Sequence, residues 1–136
     1  MPCGNSAREW EPSLMRAVDA YRDTRDLAAA CKTLSALAEQ HPTAAAIRTY
    51  LAGYLYLANR FEDALPHALR AVALAPNKAM PARQLFHTHF ALGNLEAAES
   101  EARRYRSLAQ NPEAVAEWDS LIGSVSAARE EHVDDA

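Results

Sequence analysis

The most constraining feature of this chain is a spacing of 34 residues that returns in several independent columns. Pro42 and Pro76 are 34 apart, and so are Ala30, Ala64 and Ala98, and Leu27, Phe61 and Leu95. Arg25, Asn59 and Gly93 form a turn column in the same register. Further apolar columns run Ala17, Leu51, Leu85, then Leu34, Ala68, Ala102, then Leu37, Ala71, Tyr105. In a chain with 30 alanines, one all-alanine column would carry little weight. Small, large apolar and turn columns that keep a single register carry much more. They require one supersecondary unit stacked on copies of itself, each covering its neighbour's apolar face.

Composition says what that unit is made of. The 30 alanines and 15 leucines cost least in a helix, and they stand against only 12 Val, Ile and Thr, the residues strands prefer. The chain is therefore expected to be all-α. Proline and glycine then divide it, because proline lacks the amide that a helix interior needs and glycine ends helices. Pro12, Pro42, Pro76, Pro81, Pro112, the TRD segment at 24–26, ANRFED at 58–63 and Gly93-Asn94 predict helices near 12–23, 27–40, 44–57, 61–75, 79–92, 95–110 and 113–130. Short turns between them predict antiparallel neighbours. Pro66 falls about one turn into the fourth helix, which should start late or kink there.

On these columns the chain resembles a tetratricopeptide repeat (TPR) protein. The resemblance covers residues 11–112, as units 11–44, 45–78 and 79–112. It implies a right-handed superhelix of three helix-turn-helix repeats, closed by a C-terminal capping helix at 113–130. The middle unit matches best, through Leu51, Ala52, Leu55, Phe61, Ala64, Ala71 and Pro76. The departures are specific. Leu14, Arg48 and Ala82 replace the early Trp, and Val18 and Phe86 stand where Gly or Ala is usual. His89 replaces a large apolar residue, and Gln110 replaces the last proline. Ala114, Trp118, Leu121, Ile122 and Val125 make one apolar stripe on the capping helix, so Trp118 is expected to be core rather than a partner anchor. The whole of 1–136 reads as one domain, with flexible ends at 1–9 and 131–136. No matching cap precedes Pro12. Either Trp10 staples back onto Met15, or the first helix pairs with a second subunit in a homodimer.

Catalytic and cofactor motifs are not found. The four glycines stand alone, so there is no phosphate-cradling loop, and no cofactor is expected. His87 and His89 look like a metal pair, but an i, i+2 spacing puts them on different helix faces, and no metal site is expected. Cys3 and Cys31 are too few for a disulfide framework, and Cys31 reads as a structural thiol. A net charge of −4 suits nucleic acid poorly, and Arg103, Arg104 and Arg106 read as a solvated face beside Glu96, Glu99 and Glu101. No apolar run is long enough for a membrane span, and the start MPCGNSAREWEP lacks the apolar core of a secretory signal. The expectation is a cytoplasmic, non-enzymatic chain; an Arg:Lys ratio of 12 to 2 hints at a GC-rich bacterial genome.

The TPR resemblance implies where a partner would bind. The first helix of each pair would line a concave groove for a peptide segment of a protein partner. It would hold Met15, Asp19 and Arg22, then Thr49, Gly53, Tyr56 and Leu57, then Arg83, His87 and Phe90, with Gly53 leaving room for close approach and Leu57 and Phe90 either groove or core. Adaptors of Hsp70 and Hsp90 tails clamp a C-terminal carboxylate with Lys, Asn and Arg. Here Met15, Asp19, Gly53, Met80 and Gln84 occupy those positions, so that role is not expected. The stretch Leu92–Ser100, with Leu108-Ala109 and Asn111-Pro112-Glu113, is similar to bacterial type III secretion chaperones of translocator proteins, although the longer segment those chaperones carry before the first unit is lacking. That resemblance implies a secreted, apolar client held in the groove. The alternative is a scaffold or assembly adaptor that uses the convex face around Arg103, Arg104 and Arg106.

Overall fold

The computed structural model describes residues 8–135, so Cys3 and most of the expected flexible N-terminal end lie outside the described residues. Seven α-helices follow one another among them, in three antiparallel pairs and a long last helix. The pairs are α1 (Glu11–Thr24) with α2 (Leu27–Gln40), α3 (Ala45–Leu57) with α4 (Phe61–Leu74), and α5 (Ala79–Ala91) with α6 (Leu95–Arg106); α7 spans Pro112–Asp135. Each helix packs on the next in sequence, and α3 also touches α5 directly, so first helices stack on first helices.

The turn column has a backbone cause. Arg25, Asn59 and Gly93 all adopt left-handed φ, at 58°, 62° and 78°. A residue in that conformation closes the end of a helix and re-aims the chain into its antiparallel partner. Arg25 adopts it without being glycine, its amide donating to the Tyr21 carbonyl at 2.7 Å and its guanidinium lying 5.6 Å from the Tyr21 ring centre. The apolar columns are equally literal: Ala30, Ala64 and Ala98, like Leu34, Ala68 and Ala102, are all buried. Alanine at these positions lets backbones approach closely.

The core has two parts. Leu14, Leu34, Ile47, Leu51, Leu55 and their alanines fill the stack of α1–α4, reaching Leu85 on α5. Phe86, Trp118, Val125, Ala82, Ala98 and Ala102 fill the contact of α5, α6 and α7. The departures at 82 and 86 explain each other. The large side chain has moved one helical turn, from the Trp column, where Ala82 now sits, to the small-residue column, where Phe86 sits. Phe86 meets Trp118 edge-to-face with ring centres 6.4 Å apart.

Three expectations need correction. The fourth helix does not start late: α4 begins at Phe61 and runs through Pro66. Pro66 and Glu62, whose carbonyl loses its amide partner, are both exposed, so water can serve that carbonyl. The sixth helix stops at Arg106 rather than near 110. There Ser107 donates its hydroxyl to the Arg104 carbonyl, and Asn111 caps α7 by accepting from the Ala114 amide at 2.8 Å. The last helix does not end near 130; it continues to Asp135, with Arg129 tied to Glu99.

Candidate functional site

The first helices α1, α3 and α5 enclose two adjoining concavities. One, of about 360 Å³, lies between α3 and α5 and is lined by Thr49, Tyr50, Gly53, Tyr54, Tyr56, Leu57, Met80, Arg83, Gln84 and His87. The other, of about 540 Å³, brings in the start of α1 through Trp10, Leu14 and Met15. Thr49, Tyr50 and Met80 border both, so the two form one groove. Among the described residues five large apolar side chains are exposed, Met15, Leu57, Leu69, Met80 and Leu108, and three of them, Met15, Leu57 and Met80 at 41%, 55% and 50%, border this groove.

Seven of the ten sequence-predicted groove residues meet here: Met15, Thr49, Gly53, Tyr56, Leu57, Arg83 and His87. Leu57 is groove rather than core. Asp19 and Arg22 do not line it; they pair with each other at 3.2 Å on the exposed side of α1. Phe90 packs against the second core part, 5.9 Å from Phe86 between ring centres. Thr49 is buried, and its hydroxyl donates to the Ala45 carbonyl at 2.9 Å. Gly53 borders the smaller concavity, and the flexible end of Gln84 lies beside it, 3.3 Å from where a Cβ would stand. Tyr50, Met80, Gln84 and Trp10 complete the walls and were missing from the predicted set; the 3.6-residue period that placed Gly53 and Leu57 on one face of α3 also places Tyr50 there.

The aromatic wall is interlocked. Tyr56 touches the Phe61 ring edge-on at 5.2 Å and stands 6.3 Å from His87. Burial, reinforced by the Arg83 charge, holds the His87 imidazole below its ordinary pKa despite Glu117 nearby, so the wall is neutral at pH 7. His89 points elsewhere, its Nδ1 3.4 Å from the Asn94 amide nitrogen. Among the described residues no three His, Cys, Asp or Glu side chains gather to hold a metal ion. Burial raises the pKa of the Cys31 thiol, which disfavours the nucleophilic thiolate.

The arginine cluster on α6 is solvated, with Arg103 and Arg106 exposed, and each of its cations is paired. Arg104 holds Glu101, itself only 8% exposed, through two hydrogen bonds of 2.8 and 2.6 Å and also donates to the Pro76 carbonyl. Arg103 pairs with Glu99, and Arg106 pairs with Asp119 on α7. Arg104 ties α6 to the loop between α4 and α5, and Arg106 ties it to the last helix.

Sequence comparison finds no matching family model and no matching curated protein. Solved structures do match. The TPR2B domain of yeast Sti1, in a complex with an Hsp70 peptide, superposes with a TM-score of 0.77 at 18% identity, covering 86% of this chain and 96% of that one. PcrH in complex with the chaperone-binding region of PopD gives 0.75 at 21%, covering 88% and 95%. The first TPR domain of human RPAP3 gives 0.74 at 20%, covering 92% and 98%. The chain has the tetratricopeptide repeat fold: an all-α stack of helical repeats. No helix among the described residues is long and apolar enough to cross a membrane.

Proposed function

We propose that this chain is a non-catalytic protein-interaction module that takes a peptide segment of a partner into the groove of α1, α3 and α5. The finer reading is a cytoplasmic chaperone that shields an apolar segment of a secreted protein until export. One observation carries it: the exposed Met15, Leu57 and Met80 line one continuous concavity, where an apolar segment would bury them together. Structural neighbours that hold peptides, PcrH with the chaperone-binding region of PopD among them, support the same use of the fold. The scaffold reading through the second helices has less support, because Arg103, Arg104 and Arg106 are already engaged within the chain.

The test is capture of the tagged protein's partner from its own cytosol, compared between wild type and a Tyr56→Ala, Met80→Ala double variant. A partner retained at moderate salt by wild type and lost by the variant is the expected result, and one synthetic segment of it should bind one-to-one. Equal retention by both proteins sinks the groove reading. Phe90→Ala is unsuitable here, since Phe90 belongs to the core and its loss would be read as instability. A second copy docking through α1 would compete for the same face, and light scattering at high concentration separates a dimer from a monomer that binds a segment.

A further inference from the structure

The described residues include three sulfur-bearing side chains, and these sit in opposite surroundings. Cys31 is buried, and burial holds its thiol above the ordinary pKa, in the unreactive form. Met15 and Met80 are exposed, and both line the larger concavity of the groove, one from α1 and one from α5. They are far apart in sequence, so only the fold brings both thioethers to one concavity. Its lining is mostly apolar around them, with Trp10, Leu14, Ala45, Ala46, Ala79 and Pro81. The other exposed large apolar side chains, Leu57, Leu69 and Leu108, are leucines and have no comparable redox chemistry. Among the described residues, sulfur that an oxidant can reach is therefore confined to the groove.

We infer that Met15 and Met80 are modification sites, whose oxidation to sulfoxides releases the segment held in the groove. This rests on the groove reading given above and adds its regulation. The oxidant is a hydroperoxide, with hydrogen peroxide the simplest member of the class. A lone pair on the thioether sulfur attacks one peroxide oxygen, the O–O bond breaks, and water leaves. Sulfur is oxidised by two electrons and the peroxide is reduced by two. The product replaces a flexible apolar tip by a polar one, whose oxygen accepts hydrogen bonds. In the empty groove water serves that oxygen, because both side chains are exposed. A docking apolar segment strips that water and offers no donor in return, so the cost falls on binding. Neither methionine belongs to either part of the core, so the stack keeps its packing. Enzymatic reduction of the sulfoxides restores the apolar wall.

The test uses a dodecapeptide free of Met and Cys, selected from a random display library on the untreated wild-type chain and labelled with fluorescein. A binder is kept if Tyr56→Ala weakens it, which places it in the groove. The chain is then treated with hydrogen peroxide, followed by dithiothreitol, which returns disulfides and sulfenic acids to thiols and leaves sulfoxides in place. Peptide mass maps should show one added oxygen at each of Met15 and Met80 and none at Cys31. Affinity for the dodecapeptide should fall about 5- to 50-fold. Methionine sulfoxide reductases for both epimers should restore it, and the melting temperature should not move. The Met15→Leu, Met80→Leu double variant retains Met1, Cys3 and Cys31. It is compared with itself before and after peroxide, so any effect of the substitutions on affinity drops out, and no change is expected. Unchanged affinity of the oxidised wild-type chain, or an equal fall in the double variant, overturns this proposal while the groove reading stands. Failure to find a binder that Tyr56→Ala weakens brings down the groove reading, and this proposal with it.

Discussion

The two halves of the stack are held together by different physics. In α1–α4 the buried side chains are mainly leucine, isoleucine and alanine in repeat register, with Tyr54 stacked on Tyr21 and Tyr50 at one side, and the side-chain ion pairs are local, Arg22 with Asp19 and Arg60 with Asp63. In α5–α7 the largest buried side chains are the rings of Phe86 and Trp118, set among alanines and extended by Phe90 against Phe86 and Tyr105 against Trp118, and several polar links span long sequence distances. Arg83 reaches Glu117, Arg106 reaches Asp119, and Tyr105 donates its hydroxyl to the Asn77 carbonyl at 3.1 Å. Repeat columns suffice where one unit meets a like unit. Where the last unit meets a single helix, the interface is built instead from large rings and oriented charges.

The largest effect that could break this contrast is at Trp118. Trp118→Ala removes a fully buried ring and should cost about 3–5 kcal/mol. The loss should fall on α5–α7, so hydrogen exchange should rise there before it rises in α1–α4. Leu34→Ala, also fully buried, should cost about 2–5 kcal/mol and reverse the pattern. Uniform exchange in both variants would mean that the halves are one cooperative unit.

Next in size is Arg104→Gln. It strands the buried Glu101 carboxylate and the Pro76 carbonyl, at a cost of about 1–3 kcal/mol by chemical denaturation. Arg60→Gln, which breaks only an exposed local pair, should change stability by less than about 0.5 kcal/mol. Equal losses would erase the distinction between buried and exposed polar links.

Acid sharpens the comparison from another side. Burial depresses the imidazole pKa of His67, with Arg48 close by, of His87, with Arg83 close by, and of His89. Arg48 donates to Nδ1 of His67 across 3.1 Å, a bond that needs the neutral ring. The unfolded chain therefore takes up protons first, and stability present above the ordinary value of about 6.5 is lost as pH falls toward the lower folded values. The melting temperature should drop between pH 7 and pH 5. His67→Gln should flatten part of that slope, and a melting temperature constant over this range would contradict the neutral imidazoles.

Two smaller substitutions probe single backbone positions. Gly53→Ala relieves a mid-helix glycine and should stabilise the fold by about 0.5–1 kcal/mol, since the flexible end of Gln84 can give way. If Gln84 contacts a bound segment, affinity falls while the melting temperature rises; the two moving together would say that Gln84 only fills space. Arg25→Gly relaxes a non-glycine residue at φ 58° and should stabilise by a few tenths to about 1 kcal/mol, less whatever its stacking on Tyr21 contributes.

Much of this was legible in the sequence because its causes are local or periodic. Alanine and leucine fix the helices, the left-handed column at Arg25, Asn59 and Gly93 fixes the turns, and a period of 34 fixes which faces meet. The site was legible in outline for the same reason, since one face of α3 and α5 supplies most of its walls. Tertiary contact decided the rest. Phe90 packs against the second core part because Phe86, at the position of a small residue, offers it a ring one turn away. The space beside Gly53 is shared with Gln84, 31 positions away, which only the fold brings against it. On α6, Arg103 and Arg104 pair with Glu99 and Glu101 of the same helix, which the spacing already placed beside them, but Arg106 pairs with Asp119 only because α7 folds back beside it. Periodicity specifies faces. Which side chains on a face remain free for a partner depends on neighbours that only the folded chain brings together.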